Sequence, residues 1–289
     1  MSGLIDLHCH STASDGTLRP AEVVARAREQ GVKMLALTDH DTVRGIAEAS
    51  EAARRLGLAL IAGVEISVSW RGHTVHILGL DLDPEHAALR QGLAWLEQRR
   101  VERARRIAAK LARHPGLEDV WEAAVDLAAC EAVTRTHFAR LLVQRGLAGD
   151  MGMAFKRWLG RKGKAFVGGD WASLEQAVGW ITAAGGLAAI AHPARYPMTH
   201  TRLGALIEDF KRAGGVGLEV VSSAHSPQER ASMAMLARRH GLLASAGSDF
   251  HAPGNPRVEL GQGLELPRAC PPIWVHFGRG GTGALCVGS

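Results

Sequence analysis

Nine side chains of the kinds that hold metal ions recur along the 289-residue chain: His8, His10, Asp15, His40, Glu65, His76, His192, Asp249 and His251. Most of them fall where an apolar run ends. One zinc or manganese ion takes roughly four to six ligands, so a set of this size points to two or three ions that share carboxylates. His8-Cys9-His10 sends two imidazoles to one side of an extended segment, because side-chain direction repeats every second residue. Asp249-Phe250-His251 repeats the device near the other end of the chain. The chemistry expected of such a set is metal-assisted hydrolysis.

Taken singly, several members have ordinary explanations. His76, alternating with Thr74 and Leu78, reads as a half-buried strand residue, and Asp15-Gly16 reads as a turn. Asp39 is either a helix cap ahead of Thr42 or a carboxylate that orients the imidazole of His40. Glu65 is harder to dismiss, since an unpaired carboxylate in a buried strand is costly. His225, in Ser222-Ser223-Ala224-His225-Ser226, follows a predicted strand and is a candidate to contact phosphate or protonate a leaving oxygen. The seven other histidines are read as non-ligands.

The elements that must position these residues are legible as alternating patterns. Strands are expected at Leu4–Leu7, Met34–Leu37, Leu58–Ile66, Thr74–Leu80, Leu187–Ile190, Gly217–Val221 and Leu242–Ala246. Helices are expected at Ala21–Gln30, Val43–Leu56, Leu174–Ala184, Leu203–Ala213 and Pro227–His240. Such alternation predicts a parallel α/β sheet or barrel, and the seven strands suggest a (β/α)7-type barrel rather than the eight-stranded form. One hairpin is expected across Trp70-Arg71-Gly72. Ligands at the C-terminal ends of strands agree with where such barrels build active sites.

From about Leu93 to Lys164 the pattern turns helical throughout. The expected division is a metal-binding barrel of residues 1–92 and 166–289 with a small helical domain, 93–165, inserted. Charge supports the division. Between Arg99 and Lys164 there are 15 Lys and Arg against 7 Asp and Glu, which leaves the remainder at 19 against 22. An anionic partner, a phosphorylated nucleotide or short oligonucleotide, fits that excess.

At 46% hydrophobic content the chain can bury a large core, and no apolar stretch is long enough to span a membrane. Cys9, Cys130, Cys270 and Cys286 form no CxxC pair, which argues against a disulfide framework and fits a cytoplasmic protein. No obligate protein partner is expected.

His8-Cys9-His10-Ser11, Ser14-Asp15-Gly16, Thr38-Asp39-His40-Asp41, Gly63-Val64-Glu65, His76-Ile77-Leu78-Gly79, Ala191-His192-Pro193 and Gly247-Ser248-Asp249-Phe250-His251, in this order, resemble the motifs of the polymerase and histidinol phosphatase (PHP) family. The resemblance implies a distorted (β/α)7 TIM-like barrel, a trinuclear centre of divalent ions and phosphoester hydrolysis, and it assigns ligation to the nine residues above. Manganese is the first choice, with zinc or iron as alternatives. Attack by a hydroxide bridging the ions is expected, with His8, His10, Glu65 and Asp249 on one side and Asp15, His40, His192 and His251 on the other. Glu65 would also bridge to an ion held by His76.

Within the family, the chain is most similar to phosphatases of nucleoside 3′,5′-bisphosphates, which convert adenosine 3′,5′-bisphosphate to AMP. These are related to a 5′-3′ exoribonuclease acting on short 5′-phosphorylated RNA. The stretch Val133-Thr134-Arg135-Thr136-His137-Phe138-Ala139-Arg140 resembles the insertion of that subgroup. Arg99, Arg135, His137 and Arg195 are the expected substrate contacts. Competing readings are another small phosphomonoester phosphatase, an amidohydrolase, and a non-enzymatic nucleic-acid-binding module. The amidohydrolase would want a lysine between two metals and the binding module fewer ligands. The glycine-rich tail from His276 onward matches none of the motifs.

Overall fold

The computed structural model describes residues 4–128, 133–223 and 225–278. Cys130, Cys286 and tail residues 279–289 lie outside the described residues. In chain order the strands are β1 (Leu4–Asp6), β2 (Val32–Leu37), β3 (Ala59–Trp70), β4 (His73–Leu80), β5 (Leu187–Ile190), β6 (Gly217–Ser222) and β7 (Leu243–Gly247). The helices are α1 (Pro20–Glu29), α2 (Ile46–Leu56), α3 (Ala87–Leu111), α4 (Val120–Ala128), α5 (Arg135–Gln144), α6 (Met151–Ala154), α7 (Leu174–Ala183), α8 (His200–Arg212) and α9 (Pro227–His240). No helix among the described residues is long and apolar enough to cross a membrane. Two compact units result: residues 1–93 with 172–289, and residues 94–171.

The first unit carries one seven-stranded sheet in the order β1 to β7. It is mostly parallel, and β4 is the exception. The two-residue turn at Arg71 (φ 42°) and Gly72 (φ 78°) reverses the chain, so β4 runs antiparallel to β3. It also runs antiparallel to β5, as a strand reversed by the hairpin does in an otherwise parallel sheet. The first half of β3 pairs parallel with β2, from Met34 with Ala59 to Leu37 with Ala62, and its second half forms the hairpin. This length carries Glu65 past the end of β2, where it bridges His40.

The chain beyond β1 bonds to the chain around β7: Leu7 N–H donates to the Ala246 carbonyl (2.9 Å), Asp249 N–H to His8 (2.8 Å) and His10 N–H to Phe250 (2.8 Å). These bonds set the first and last ligand motifs side by side. The interior is lined by Leu7, Ala36, Ile61, Leu78, Ala189 and Ala191, and a second layer around Val23, Val24, Leu35 and Ala49 seats α1 and α2 on the sheet. The helices are punctuated as their sequences dictate. Ser226 accepts Glu229 N–H (3.2 Å) while Glu229 accepts Ser226 N–H (2.7 Å), Pro227 opens α9, and left-handed Gly241 ends it.

Gly247 shows how tightly β7 approaches the site. A Cβ there would lie 2.2 Å from His8 Cβ and 2.9 Å from Glu219 Oε1. Gly247→Ala is therefore expected to cost about 1–3 kcal/mol and to displace His8. Denaturant unfolding checks this, and an unchanged midpoint would show that the strands separate freely.

The second unit is helical, with its own core around Leu111, Leu117, Phe138, Leu142 and Trp158. It runs to Trp171, beyond the expected boundary at 165. The reason is that 166–171 is tied to α3, with Arg103 donating to the Val167 carbonyl (3.0 Å) and Lys110 to that of Phe166 (2.6 Å).

Candidate metal centre

Glu65 is fully buried and stands at the centre of the cluster. Its Oε2 lies 3.3 Å from His8 Nε2, 3.2 Å from His10 Nε2 and 3.0 Å from His40 Nδ1. Its Oε1 lies 2.9 Å from both His76 Nδ1 and His192 Nε2. The HxH logic holds locally: the Nε2 atoms of His8 and His10 are 3.2 Å apart, while Cys9 points the other way into the core under α1 and α2. Asp249 Oδ1 faces the same pair at 3.5 and 3.4 Å, and Asp15 Oδ1 lies 3.3 Å from His251 Nε2.

The nine residues therefore meet, in four overlapping groups whose donor atoms lie within 4.8 Å of one another: His10 with Asp15, His40 and His251; His8 with His10 and Asp249; His8 with Glu65 and His192; His40 with Glu65 and His76. His192 sits beside Glu65 and His76, and not with Asp15, His40 and His251. The cause is its backbone: His192 has φ 28° at the end of β5, and its N–H is held by Glu219 Oε2 (2.5 Å). Asp249 is likewise left-handed at φ 56°. Non-glycine residues held there cost of order 1–3 kcal/mol each, a strain found where a site demands it.

The donor set fits divalent ions. His10 Nδ1 and His192 Nδ1 are buried without a hydrogen bond, an expensive condition for a polar atom unless a ligand completes it. Burial opposes charge throughout the cluster, yet the histidines around Glu65, Asp15 and Asp249 hold all three carboxyls well below their ordinary range. Burial likewise opposes charge on His10, but hydrogen bonds to Asp249 and Glu65 push it up to about 10. His8 is raised against burial by Glu219, Glu65 and Asp249. Buried carboxylates paired with imidazoles are an arrangement a cation can enter by displacing protons.

Glu219 and Tyr196 are absent from the sequence reading. Glu219 is fully buried, and its Oε1 lies 3.0 Å from His8 Nδ1, which fixes the ring so that Nε2 faces the cluster. The available signal was a carboxylate in the apolar run Gly217–Val221, the argument applied to Glu65. Tyr196 is the chain's sole tyrosine. Its hydroxyl accepts His76 N–H (2.8 Å) and its ring packs edge-on against His192. Asp39 has neither expected role. It accepts Ser11 N–H (2.8 Å) and the hydroxyls of Ser11 and Ser14 (both 2.6 Å), shaping the loop that carries Asp15, while α2 starts only at Ile46. Glu219→Gln is expected to weaken metal affinity about 10- to 100-fold without unfolding the chain. Metal titration followed by activity checks it, and wild-type affinity would remove Glu219 from the orienting role.

The other expected contacts separate. Arg195 donates to Asp249 and so reaches the cluster. His225 is buried, its Nδ1 is 3.4 Å from the Val220 carbonyl, and its Nε2 makes no hydrogen bond. Burial pushes its pKa down, which disfavours the protonated ring. Arg99, Arg135 and His137 belong to the second unit. Arg99 pairs with Asp170 (2.7 Å) and lies over Trp95, and Arg135 lies over Phe155. His137 is buried and accepts Thr134 N–H on Nδ1 (2.9 Å), closing the start of α5.

A family model described as PHP domain matches residues 6–181. A 3′,5′-nucleoside bisphosphate phosphatase of Chromobacterium violaceum is 49% identical over 273 residues, covering 93% of this chain and 95% of that protein. A 5′-3′ exoribonuclease of Haemophilus influenzae is 46% identical over 277 residues, covering 96% of this chain and 100% of the relative. A solved structure of an amidohydrolase from C. violaceum, with bound sulfate and no metal, has a TM-score of 0.89 at 48% identity and covers 95% of each chain.

Proposed function

The chain belongs to the PHP domain family as a metal-dependent phosphoesterase, and from that premise we propose that it removes a phosphate from nucleoside 3′,5′-bisphosphates. The observation that carries the reading is Glu65, one buried carboxylate in reach of five imidazoles.

Two or three ions, manganese first, would be held by His8, His10, Asp15, His40, Glu65, His76, His192, Asp249 and His251. Bound there, such ions lower the pKa of water and take up charge on phosphoryl oxygens. The protein's own groups do the rest. Glu219 keeps the His8 ring in one tautomer and holds the turn at His192. Tyr196 clamps the backbone of His76. Arg195, half exposed beside Asp249, is placed to donate two parallel hydrogen bonds to a phosphoryl group. His225 would donate a hydrogen bond to a phosphoryl oxygen, and its lowered pKa makes the second role, protonating a leaving oxygen, the less favoured of the two.

The hydrogen bonds joining Leu7, His8 and His10 to the chain around β7 support the closed-barrel reading. The separate core of residues 94–171 and the basic run from Arg99 to Lys164 support an inserted substrate-binding domain. Those same basic residues, with the full-length exoribonuclease relative, favour a second reading: 5′-3′ exonucleolysis of short 5′-phosphorylated RNA. The amidohydrolase reading draws on the name of one solved structure. Against it, no lysine ends a central strand, and the late motif is Asp249-Phe250-His251.

Release of phosphate and nucleotide from adenosine 3′,5′-bisphosphate, AMP and 5′-phosphorylated RNA, with Mn²⁺ and with chelator, tests the choice. Chelator-sensitive loss of one phosphate from the bisphosphate supports the phosphatase. Faster release of mononucleotides from RNA moves the function to the exoribonuclease, and no turnover of any of the three overturns both.

A further inference from the structure

Asp6, the last residue of β1, is a fully buried carboxylate outside the nine-residue set. Its oxygens face peptide groups. Oδ1 accepts the N–H of His8 (3.3 Å) and of Ser248 (2.8 Å), and Oδ2 accepts the N–H of Gly261 (3.0 Å). These partners come from three separate segments: the first ligand motif, the residue before Asp249, and the loop that follows the last ligand.

The carboxylate stands where the sheet gives little support. β1 is three residues long and pairs in register with β2, and the first and last ligand motifs meet through single backbone bonds and the isolated bridge of Cys9 with Phe250. Asp6 spans that junction. It holds the Ser248 N–H one residue ahead of left-handed Asp249, a conformation that persists only where the surroundings impose it. Asp249 Oδ1 is thereby set 3.5 and 3.4 Å from the Nε2 atoms of His8 and His10. An ionised carboxylate suits the task, because both oxygens accept, neither donates, and charge strengthens bonds to peptide N–H groups.

We propose that Asp6 is a positioning residue of the metal centre. By holding the N–H groups of His8 and Ser248 on one oxygen it fixes the spacing of His8 and His10 against Asp249, and with it the affinity of the ion that those three would share. The inference rests on the reading of this cluster as a metal centre.

The test is Mn²⁺ binding to the whole chain after chelator treatment, followed by calorimetry at a temperature where each variant is folded, beside thermal unfolding without metal. Asp6→Ala should bind Mn²⁺ about 10- to 100-fold more weakly than wild type. Asp6→Asn should recover most of that loss, since its carbonyl oxygen still takes the His8 and Ser248 N–H groups and only Gly261 meets a donor. Should Asp6→Ala fail to fold, Asp6→Glu decides: it keeps the charge, its extra methylene shifts the two motifs, and the same loss is expected. A lowered Tm with wild-type Mn²⁺ affinity in Asp6→Ala or Asp6→Glu would leave Asp6 a scaffold residue and overturn the proposal. Equal losses in Asp6→Asn and Asp6→Ala would place the effect on charge and overturn it as well. A wild-type chain that takes up no Mn²⁺ would defeat the metal-centre reading itself, and the inference falls with it.

Discussion

Glu65→Gln is expected to lower kcat/KM for the bisphosphate by roughly 10³-fold or more, because several kcal/mol of charge stabilisation by the ions depends on their being held. The replacement keeps the volume and removes the charge that five histidines face at 2.9–3.3 Å. An amide also brings a donor toward nitrogens that must offer lone pairs to a metal. Elemental analysis should find fewer ions per chain, and far-UV circular dichroism should find the fold retained. Near-wild-type turnover at full metal loading would remove Glu65 from the centre of the mechanism.

Chelation is expected to abolish turnover, and divalent metal to restore it, with a pH dependence whose sign follows from the histidines. In the metal-free cluster His8 is raised well above its ordinary value and His10 to about 10, so both carry protons at pH 7. A metal accepts only the neutral imidazole, so loading must displace those protons. Apparent metal affinity should therefore rise with pH across the neutral range and fall as the solution is acidified. Adding Mn²⁺ to apoprotein in weakly buffered solution should release about one proton or more per ion bound. Metal uptake with no proton release would show that His8 and His10 are not ligands.

The site was more legible than the fold's connectivity. HxH and DxH declare themselves because alternation along an extended chain is a local property, and the structure does place His8, His10 and Asp249 together. The pairing of β4 with β5 was not legible, since roughly a hundred residues intervene and periodicity names no partner for a strand. His225 looked like an acid from its place after β6, but its protonation is set by how far the surrounding chain buries it. Arg99 looked free to bind substrate, and its partner Asp170 lies 71 residues away.

The sequence by itself determined the donor types, their attachment to strand ends and the segregation of positive charge between Arg99 and Lys164. These are properties of composition and of spacing over a few residues. Tertiary structure alone decided which donors lie within reach of one another, and that Glu219 holds His8 from 211 residues away. Coordination, orientation and desolvation all depend on distances between groups remote in the chain, and folding sets those distances.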